Sequence, residues 1–277
     1  MFFAVYSRLI NFSPGFKKLS KYFFYQYIAH ISQRIDWKFM NYGYAFIKDV
    51  QEAPQLDLSD EPNRCSIQLY HHLVQAVNLD GHRVLDVGCG RGGGLDYLKR
   101  YLNVEDVIGL DASEKVMNHC SKAYQAQGLV FIAGDAEALP FPDQSFHAVI
   151  NVESSHCYAD MNKFLSGVKR VLRPGGYFLF TDFRDRQHVH LLEKQMERSG
   201  MIVIKKSDIT GNVITALETN HNQKVAFIQK AAPKYFVRLF KEFAGCRGTR
   251  IYNRFKAGES IYLSYILEKP EDQLSIH

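Results

Sequence analysis

Val84-Leu85-Asp86-Val87-Gly88-Cys89-Gly90-Arg91-Gly92-Gly93-Gly94 is the stretch of sequence that decides the fold of this chain. A short apolar run contains one carboxylate and breaks into a glycine-rich loop, and Leu95, Leu98 and Leu102 follow at helical spacing. This order predicts a strand, a loop and a helix, with helical amide groups beside the loop that can hold a polar or anionic ligand. Glycines permit the tight backbone turn that such a loop needs.

Asp86 distinguishes this loop from a general dinucleotide-binding pattern. Gly88, Gly90 and Gly93 satisfy the spacing of the dinucleotide fingerprint, but that spacing alone is weak evidence. A carboxylate two residues before the first glycine would repel a pyrophosphate, and it would suit a positively charged ligand such as an ammonium or a sulfonium. The stretch therefore predicts a loop that binds a cationic ligand. A helix-capping turn without any ligand is the alternative.

Length and composition predict one large domain, or a domain with a lid. The chain has 277 residues, of which 46% are hydrophobic, and this is enough for a substantial core. No run of 18 apolar residues occurs in the sequence, so we expect no membrane span. No basic-then-apolar leader with a small-residue cleavage site occurs either, so we expect no secretion. The five cysteines are scattered and form no C-x-x-C pair, so we expect reduced thiols and a cytoplasmic protein.

Residues 1–40 account for the net charge of the chain. They hold six basic residues and one acidic residue, whereas the whole chain has a net charge of +5. A net charge that is confined to this segment argues against nucleic acid as a partner, because nucleic acid would need a basic face on the folded domain. Residues 1–50 are also crowded with aromatic side chains, and amphipathic helices are predicted around residues 3–12 and 15–34. Such helices could pack on the core, cover an acceptor pocket or touch a membrane surface.

Residues 82–183 alternate short apolar strands with helices, which predicts a parallel sheet with helices on both faces. The predicted strands span residues 83–87, 106–111, 129–133, 147–152 and 177–183, and the helices between the later strands span residues 114–127 and 161–172. Ligands of open α/β sheets bind beyond the carboxyl ends of the strands. We therefore expect the binding residues to follow directly after each strand.

Polar residues follow the second and third predicted strands. Asp111, with Ala112 beside it, comes about twenty residues after the glycine loop, where a carboxylate can accept hydrogen bonds from both hydroxyls of a ribose. A helix N-cap is the alternative role for Asp111, and Ser113 is the other candidate for that cap. Asp135 follows the third strand and fits a hydrogen bond to an adenine amine, while the amide of Ala136 could meet the ring.

These residues, in this order and spacing, resemble the motifs of class I S-adenosylmethionine (SAM) methyltransferases. The matching residues are Asp86, Gly88, Gly90, Asp111, Asp135, Ala136, Asn151 and the turn Arg173-Pro174-Gly175-Gly176. The resemblance implies a Rossmann-like α/β fold with a seven-stranded sheet, SAM as cofactor, S-adenosylhomocysteine as its product and no metal. An enzyme that uses a nicotinamide cofactor is the alternative, although acidic residues would not suit its pyrophosphate.

Four segments resemble a narrower family, the phthiotriolone and phenolphthiotriolone dimycocerosate O-methyltransferases, and that resemblance extends over most of the chain after residue 45. The segments span residues 59–64, 151–158, 171–177 and 245–249. Enzymes of that family methylate a hydroxyl on a long polyketide-derived lipid. The resemblance implies a hydrophobic small-molecule acceptor, such as a polyketide, a glycolipid or another secondary metabolite.

His156 is the candidate general base for transfer to a hydroxyl, because the unperturbed pKa of histidine lies near neutrality. Asp182 ends the fifth predicted strand and could orient the imidazole. Related sugar O-methyltransferases use a histidine and an aspartate at these two positions, so the resemblance implies the same roles here. Glu153 is an alternative base. Carbon methylation of the sterol-methyltransferase type and a SAM-binding scaffold without catalysis remain as rival functions.

The predicted organisation has four parts. They are an N-terminal helical cap at 1–80, the SAM-binding core at 81–208, a helical lid on the acceptor side at 209–258, and a last strand with a mobile tail at 259–277. Within the cap, Asp60 is the candidate N-cap of a helix that runs toward Asp80-Gly81. A lid would exclude water from the reaction. The sequence does not predict an oligomeric state, and peripheral contact with a membrane is an alternative for the N-terminal cap.

Overall fold

The computed structural model describes residues 37–47 and 52–271. The helices predicted around residues 3–12 and 15–34, and most of the predicted tail, lie outside the described residues. The strands are β1 (Arg83–Val87), β2 (Asp106–Asp111), β3 (Leu129–Ala133), β4 (Phe146–Val152), β5 (Leu172–Asp185), β6 (Ile202–Asp208) and β7 (Ser260–Glu268). They form one sheet in the order β3-β2-β1-β4-β5-β7-β6. The predicted seven-stranded Rossmann-like sheet is confirmed.

Strand direction divides this sheet. The pairs from β3 to β5 are parallel, whereas β7 is antiparallel to both β5 and β6. The carboxyl ends of β1 to β5 therefore meet at one edge of the sheet, where ligands of open α/β sheets bind. Strands β1, β2 and β4 are buried runs rich in Val, Ile and Leu, as expected for a sheet covered on both faces, whereas the edge strand β3 is partly exposed.

Helices cover both faces of the sheet. They are α1 (Arg64–Val74), α2 (Gly93–Tyr101), α3 (Glu114–Ala123), α4 (Met161–Val171), α5 (Val189–Arg198), α6 (Thr210–Thr219), α7 (His221–Ala231), α8 (Val237–Phe243) and α9 (Arg250–Lys256). Apolar side chains of α1, α2, α3, α6 and α9 share one core cluster, and those of α4 and α5 share the other. Within residues 37–47 and 52–271, no helix is both long enough and apolar enough to cross a bilayer.

The segment 37–47 is built into the core although it has no regular secondary structure. Its Tyr44 amide donates to the Cys65 carbonyl at 2.8 Å, and Ala45 exchanges hydrogen bonds with Asn212 on α6. Phe39, Tyr42 and Tyr44 are all buried. The segment therefore packs between α1 and α6, and this position brings it to the carboxyl edge of the sheet.

Two predicted boundaries are wrong. The helix predicted at 114–127 ends at Ala123, because Tyr124 adopts an extended backbone and packs its ring on Phe131. The turn predicted at 173–176 belongs to β5 instead. Gly175, with φ of +70°, donates to the Lys269 carbonyl at 2.9 Å, and the register between β4 and β5 shifts beside it. This bulge lets the chain keep its strand pairing where the sequence suggested a break.

Asp60 was also predicted wrongly, since its side chain caps no helix. Its carboxylate accepts hydrogen bonds from Arg100 at 2.7 Å and from Tyr101 at 2.6 Å, both near the end of α2. Burial opposes the ionised form, but these two donors outweigh burial and lower the pKa of Asp60. The residue therefore ties the start of α1 to α2, and a short 3₁₀ helix at Glu61–Asn63 leads into α1.

The region predicted as a lid divides into two parts. Helices α6 and α9 pack on the sheet, whereas α7 and α8 pack on each other around a small cluster of their own that contains Ile228 and Phe240. Trp37 joins this cluster, with its ring 6.0 Å from Phe227 and 6.2 Å from Phe240. We therefore propose that the lid comprises α7 and α8 only, here called the α7–α8 hairpin.

Candidate active site

Asp86 lies at the end of β1 and is fully buried. The hydroxyl of Tyr70 on α1 donates to its Oδ2 at 3.0 Å, and its Oδ1 has no hydrogen-bond partner among the described residues. Burial raises the pKa of Asp86 to about 7. A buried carboxylate oxygen without a donor is costly unless a ligand supplies one, and a cationic ligand would also favour the ionised form.

The glycine loop after β1 is packed by the protein itself. The amide of Gly88 donates to the Leu110 carbonyl at 2.7 Å, and the residue has φ of +77°. A Cβ atom at Gly88 would lie 2.3 Å from Oγ of Ser154. Glycine is therefore required because the end of β4 closes on the end of β1 at this point. The amide of Gly90 donates to Oδ2 of Asp111 at 3.1 Å.

Asp111 is held at the end of β2 by two backbone amides. Besides Gly90, the amide of Ser113 donates to its Oδ1 at 3.0 Å. The N-cap of α3 is Ser113, whose Oγ accepts from the Val116 amide, so the capping role considered for Asp111 is wrong. Burial raises the pKa of Asp111, although the amides oppose the shift. Each carboxylate oxygen keeps a further lone pair that can accept a ligand hydroxyl.

Asp135 and Ala136 follow β3 at the same edge. The exposed side chain of Asp135 accepts from the Glu137 amide at 2.9 Å, and Ala136 packs against the core cluster of α4. Glu137 in turn accepts from the Ala159 amide at 2.8 Å. These bonds tie the loop after β3 to the loop after β4, so the predicted adenine contacts lie at the same edge of the sheet as Asp86.

Asn151 at the end of β4 is buried and fixes the strand to its neighbour. Its Nδ2 lies 2.8 Å from the Val87 carbonyl, 2.7 Å from Ser154 Oγ and 3.0 Å from the Tyr158 hydroxyl. Its Oδ1 is a second buried oxygen without a hydrogen-bond partner among the described residues. Nδ2 of Asn151 therefore contacts the protein, and its Oδ1 can accept a hydrogen bond from a ligand.

His156 and Asp182 are brought together, as their predicted roles require. A 3₁₀ helix at Ser155–Cys157 places Nδ1 of His156 at 2.8 Å from Oδ1 of Asp182, and the His156 amide donates to Oδ2 at 2.8 Å. The Asp182 side chain is fully buried, and 21% of the His156 side chain is exposed. The carboxylate thus fixes the Nδ1 edge of the imidazole, while part of the His156 side chain remains exposed.

Burial alone would lower the pKa of His156, but the carboxylate of Asp182 outweighs it and raises that pKa to about 10. Burial would raise the pKa of Asp182, but His156 and Arg184 outweigh it and lower that pKa well below its ordinary value. Arg184 lies 3.1 Å from Oδ2 of Asp182 and donates to Ser155 Oγ at 2.7 Å. In the free protein, His156 and Asp182 therefore form an ion pair at neutral pH.

Glu153 directly follows β4 and has a left-handed backbone, with φ of +48°. Its Oε1 accepts from the Tyr42 amide at 2.6 Å and from the Tyr262 hydroxyl at 2.5 Å. Burial raises the pKa of Glu153 to about 7, although both hydrogen bonds oppose that shift. The carboxyl group thus joins the segment 37–47 and β7 to the end of β4.

Aromatic side chains surround this part of the site. The ring of Phe183 lies 4.6 Å from the imidazole of His156, 5.7 Å from the ring of Tyr42 and 5.8 Å from the ring of Phe255. Tyr262 packs against both phenylalanines. We call Tyr42, Phe183, Phe255 and Tyr262 the aromatic wall. Tyr42, Phe255 and Tyr262 are buried in the core, whereas Phe183 is partly exposed, so Phe183 places an apolar ring directly beside the pair predicted to act on an acceptor.

Comparison with known proteins shows the family. Residues 85–180 match a methyltransferase domain. The chain is 36% identical over 247 residues to the phthiotriol/phenolphthiotriol dimycocerosates methyltransferase of Mycobacterium leprae, covering 89% of this chain and 91% of that one. It is 37% identical over 248 residues to the fatty-acid O-methyltransferase of Mycolicibacterium smegmatis, covering 90% and 89%. The chain belongs to the class I SAM-dependent methyltransferases.

The fold of this methyltransferase is shared by a solved structure with little sequence similarity. A cyclopropane synthase from Mycobacterium tuberculosis superposes with a TM-score of 0.62 at 15% identity, covering 75% of this chain and 85% of that one. This likeness concerns the fold alone.

The residues at the ends of β1, β2 and β4 fit SAM. A sulfonium or ammonium group suits the unpartnered Oδ1 of buried Asp86, and a donor of the ligand suits the unpartnered Oδ1 of Asn151. Asp111 is held with accepting capacity at the strand end where a ribose is bound in nucleoside-binding sheets. The methyltransferase thus offers acceptors and negative charge where a cationic nucleoside would lie.

Sequence reasoning missed five side chains of the site: Tyr42, Tyr70, Ser154, Arg184 and Tyr262. A buried carboxylate needs a donor, and this need could have directed attention to the tyrosines of the flanking elements. The pairing of Tyr42 and Tyr262 with Glu153 joins residues more than a hundred positions apart, and no local pattern indicates it.

Proposed function

We propose that this methyltransferase transfers the methyl group of SAM to a hydroxyl oxygen of a hydrophobic, lipid-like acceptor, such as a polyketide or a glycolipid. The observation that supports it is the His156–Asp182 pair beside the aromatic wall. The pair supplies a base with a fixed orientation, and the partly exposed ring of Phe183 in the wall supplies an apolar contact for the acceptor beside that base. The names of the two relatives above refer to dimycocerosates and to fatty acids, and this supports a lipid-like acceptor for the present chain.

When bound, SAM supplies an activated methyl group, so the main tasks of the protein are alignment and proton transfer. Asp86 and Asp111 hold the cofactor end, and alignment of the reacting atoms contributes about 7–11 kcal/mol in well-oriented reactions. Neutral His156 accepts the proton of the acceptor hydroxyl, and Asp182 stabilises the resulting imidazolium. A positioned base of this kind contributes a factor of about 10²–10⁴ in rate.

The protonation state of His156 sets a condition on this role. Its pKa of about 10 in the free protein means that the imidazole must lose a proton before it can act as a base. A cation bound nearby lowers the pKa of a histidine, so cofactor binding favours the neutral form. We expect turnover of an alcohol acceptor to rise with pH between 7 and 9, since the neutral fraction rises over that range.

A carboxylate acceptor is a second candidate, and the ion pair favours it. A carboxylate is already deprotonated, so it needs no base, and a positively charged His156 would bind it. The relative from Mycolicibacterium smegmatis is named as a fatty-acid O-methyltransferase. For such an acceptor, turnover should stay level between pH 7 and 9 and fall as pH passes the pKa of His156.

The decisive experiment compares wild type and His156→Ala on long-chain alcohols and long-chain fatty acids, with the methyl position of the product determined by NMR. We expect a methyl ether, and a loss of turnover in the variant of about 10²–10⁴ with SAM affinity within about twofold of wild type. Full activity of His156→Ala would remove it as the base and would leave Glu153 as the alternative. A methyl ester would favour the carboxylate acceptor, and a new carbon–carbon bond would favour the sterol-methyltransferase type.

Calorimetric binding of SAM and S-adenosylhomocysteine to wild type and Asp111→Ala tests the cofactor site separately. Hydrogen bonds to a charged group contribute about 1.5–3 kcal/mol, so we expect SAM affinity to fall about 10- to 100-fold in the variant. Unchanged affinity would contradict the assignment of Asp111. Tight SAM binding without turnover on either acceptor class would instead favour a non-catalytic scaffold.

A further inference from the structure

The α7–α8 hairpin carries an unusual distribution of charge. From His221 to Phe243, the range that spans both helices, the sequence contains five Lys or Arg residues and one acidic residue, Glu242. Residues 1–40 hold six further basic residues against Asp36, and the net charge of the whole chain is +5. The remainder of the chain is therefore net acidic. The net positive charge therefore falls on the hairpin and on residues 1–40.

The basic residues of the hairpin divide by direction. Lys224 points inward and lies 3.5 Å from the Tyr42 carbonyl and 3.4 Å from the Ala244 carbonyl. Lys230, Lys234 and Arg238 are exposed, and none of these three forms a salt bridge with a described residue. They lie at the end of α7, in the 3₁₀ helix Lys234–Phe236 and in the first turn of α8. We call this corner of the hairpin, with Tyr235, the basic corner.

Two features of the basic corner are unfavourable for the isolated fold. Arg238 lies in the first turn of α8, where the helix dipole disfavours positive charge. Tyr235 is 96% exposed, the most exposed large hydrophobic side chain described. On the inner side the same hairpin is well packed, since Phe240 and Ile228 are buried and Trp37 packs on Phe240. The basic corner is therefore exposed on a hairpin whose inner side is held by packing.

We propose that the basic corner docks the protein on an anionic lipid surface. Lysine and arginine near such a surface are attracted electrostatically, and a tyrosine with an apolar ring and a polar hydroxyl suits the boundary between headgroups and acyl chains. A planar surface meets only one corner of the molecule, so the net acidic remainder stays away from it. Nucleic acid would need a larger basic face, whereas residues 37–47 and 52–271 outside the hairpin are net acidic.

The place of the corner gives this docking a use. The hairpin inserts between β6 and β7, and Lys224 links it to Tyr42 of the aromatic wall. Docking at the corner would therefore hold the acceptor end of the site near the bilayer, from which an apolar acceptor could be drawn. This last step rests on the proposed function, whereas lipid binding itself does not.

The test is co-sedimentation of the full chain with vesicles of phosphatidylcholine, alone or mixed with phosphatidylglycerol. The variant Lys230→Glu/Lys234→Glu/Arg238→Glu is compared with the control Lys122→Glu/Lys163→Glu/Lys194→Glu, which makes the same change of net charge at exposed positions on α3, α4 and α5. We expect wild type and control to bind the mixed vesicles, with binding weaker at high salt. The hairpin variant should bind at least about tenfold more weakly.

A second variant, Tyr235→Ser, keeps every charge and should bind several-fold more weakly than wild type. Three outcomes would overturn the proposal: no preference of wild type for anionic vesicles, equal losses in the hairpin variant and the control, or undiminished binding of the hairpin variant. Binding is measured without turnover, so failure here leaves methyl transfer untouched. An inactive methyltransferase that still binds vesicles through the corner would contradict only the proposed function.

Discussion

The proposed cofactor end of the site, around Asp86, and the proposed acceptor end, around Glu153 and His156, are built differently. Each end contains a buried carboxyl group whose pKa is raised to about 7. At the cofactor end, Asp86 and its glycine loop come from one contiguous stretch, and one oxygen of Asp86 has no partner among the described residues. At the acceptor end, Glu153 joins Tyr42 and Tyr262, which are 111 and 109 residues away from it. Oδ1 of Asp86 can therefore accept a hydrogen bond from a ligand, whereas Oε1 of Glu153 already accepts two hydrogen bonds from the protein.

This difference shows how each end is specified. A cofactor with a fixed chemical structure can be recognised by a local motif, since backbone turns and a few side chains at successive strand ends supply all the contacts. An acceptor site is assembled from distant segments, so its shape follows from the packing of the whole chain. We therefore expect local substitutions at the cofactor end to act on SAM binding and substitutions at the acceptor end to act on turnover or stability.

Gly88→Ala should have the largest effect and should break the cofactor end. The new Cβ would lie 2.3 Å from Ser154 Oγ and 2.4 Å from Ser154 Cβ, in a backbone conformation that alanine disfavours. Either β4 moves away from β1 or the loop unfolds, and Asp86 and Asn151 lose their alignment in both cases. Calorimetry should show SAM affinity reduced by at least about 100-fold, since strain and clash together exceed about 3 kcal/mol.

Gly81→Ala is the matched control for that variant. Gly81 has φ of +65°, but a Cβ atom there would meet no heavy atom within 4 Å. The control should lose about 1–2 kcal/mol of stability from backbone strain and keep normal SAM affinity. Equal losses of SAM affinity in both variants would show that strain alone, rather than contact with Ser154, explains the effect at Gly88.

Most of the cofactor end could be predicted from sequence, because strand, glycine loop and acidic residue follow one another along the chain. The His156–Asp182 pair was also anticipated, since both residues follow neighbouring strands. Arg184, which sets its electrostatics, was not anticipated, because the predicted strand ended at residue 183. In β5 it lies two residues after Asp182 and therefore on the same face of the strand. The bulge at Gly175 was missed because its pairing with Lys269 is a contact between distant segments.

Arg184→Met should have the next largest effect and should act on the acceptor end only. Loss of the guanidinium leaves Oδ2 of Asp182 without its nearest positive charge, so Asp182 attracts the His156 proton more strongly. NMR titration of the His156 imidazole should show a pKa higher than in wild type. Turnover of an alcohol at pH 8 should fall about tenfold for each unit of that increase, with SAM affinity unchanged.

Arg186→Met provides the comparison for Arg184. Arg186 follows on the same segment, but it is exposed and donates to the Gly258 carbonyl instead of contacting Asp182. The His156 titration should be unchanged in this control. An unchanged titration in Arg184→Met as well would show that Arg184 does not set the charge state of the pair.

The unpartnered oxygen of Asp86 predicts that SAM affinity depends on pH. Below pH 7 the carboxyl group is protonated in the free protein, and a cationic ligand must displace that proton. Calorimetry should therefore show affinity falling about tenfold between pH 8 and pH 6, with proton release on binding. Asp86→Asn should bind weakly and lose this dependence. Tyr70→Phe removes the donor to Oδ2, so the fall in affinity should move to higher pH.

The smallest expected effect on SAM binding and turnover concerns Glu153, whose charge acts on the stability of the acceptor end. Its pKa is raised in the folded protein, so the group contributes stability below its unfolded pKa, and that contribution is lost as pH rises through about 7. Glu153→Gln keeps an acceptor for the Tyr42 amide and the Tyr262 hydroxyl but carries no charge. Denaturant unfolding should show the variant more stable than wild type by up to about 3 kcal/mol at pH 8, and by no more than about 1 kcal/mol at pH 5. A variant less stable at both pH values would show that the carboxylate is required in its ionised form, which would strengthen Glu153 as the alternative base.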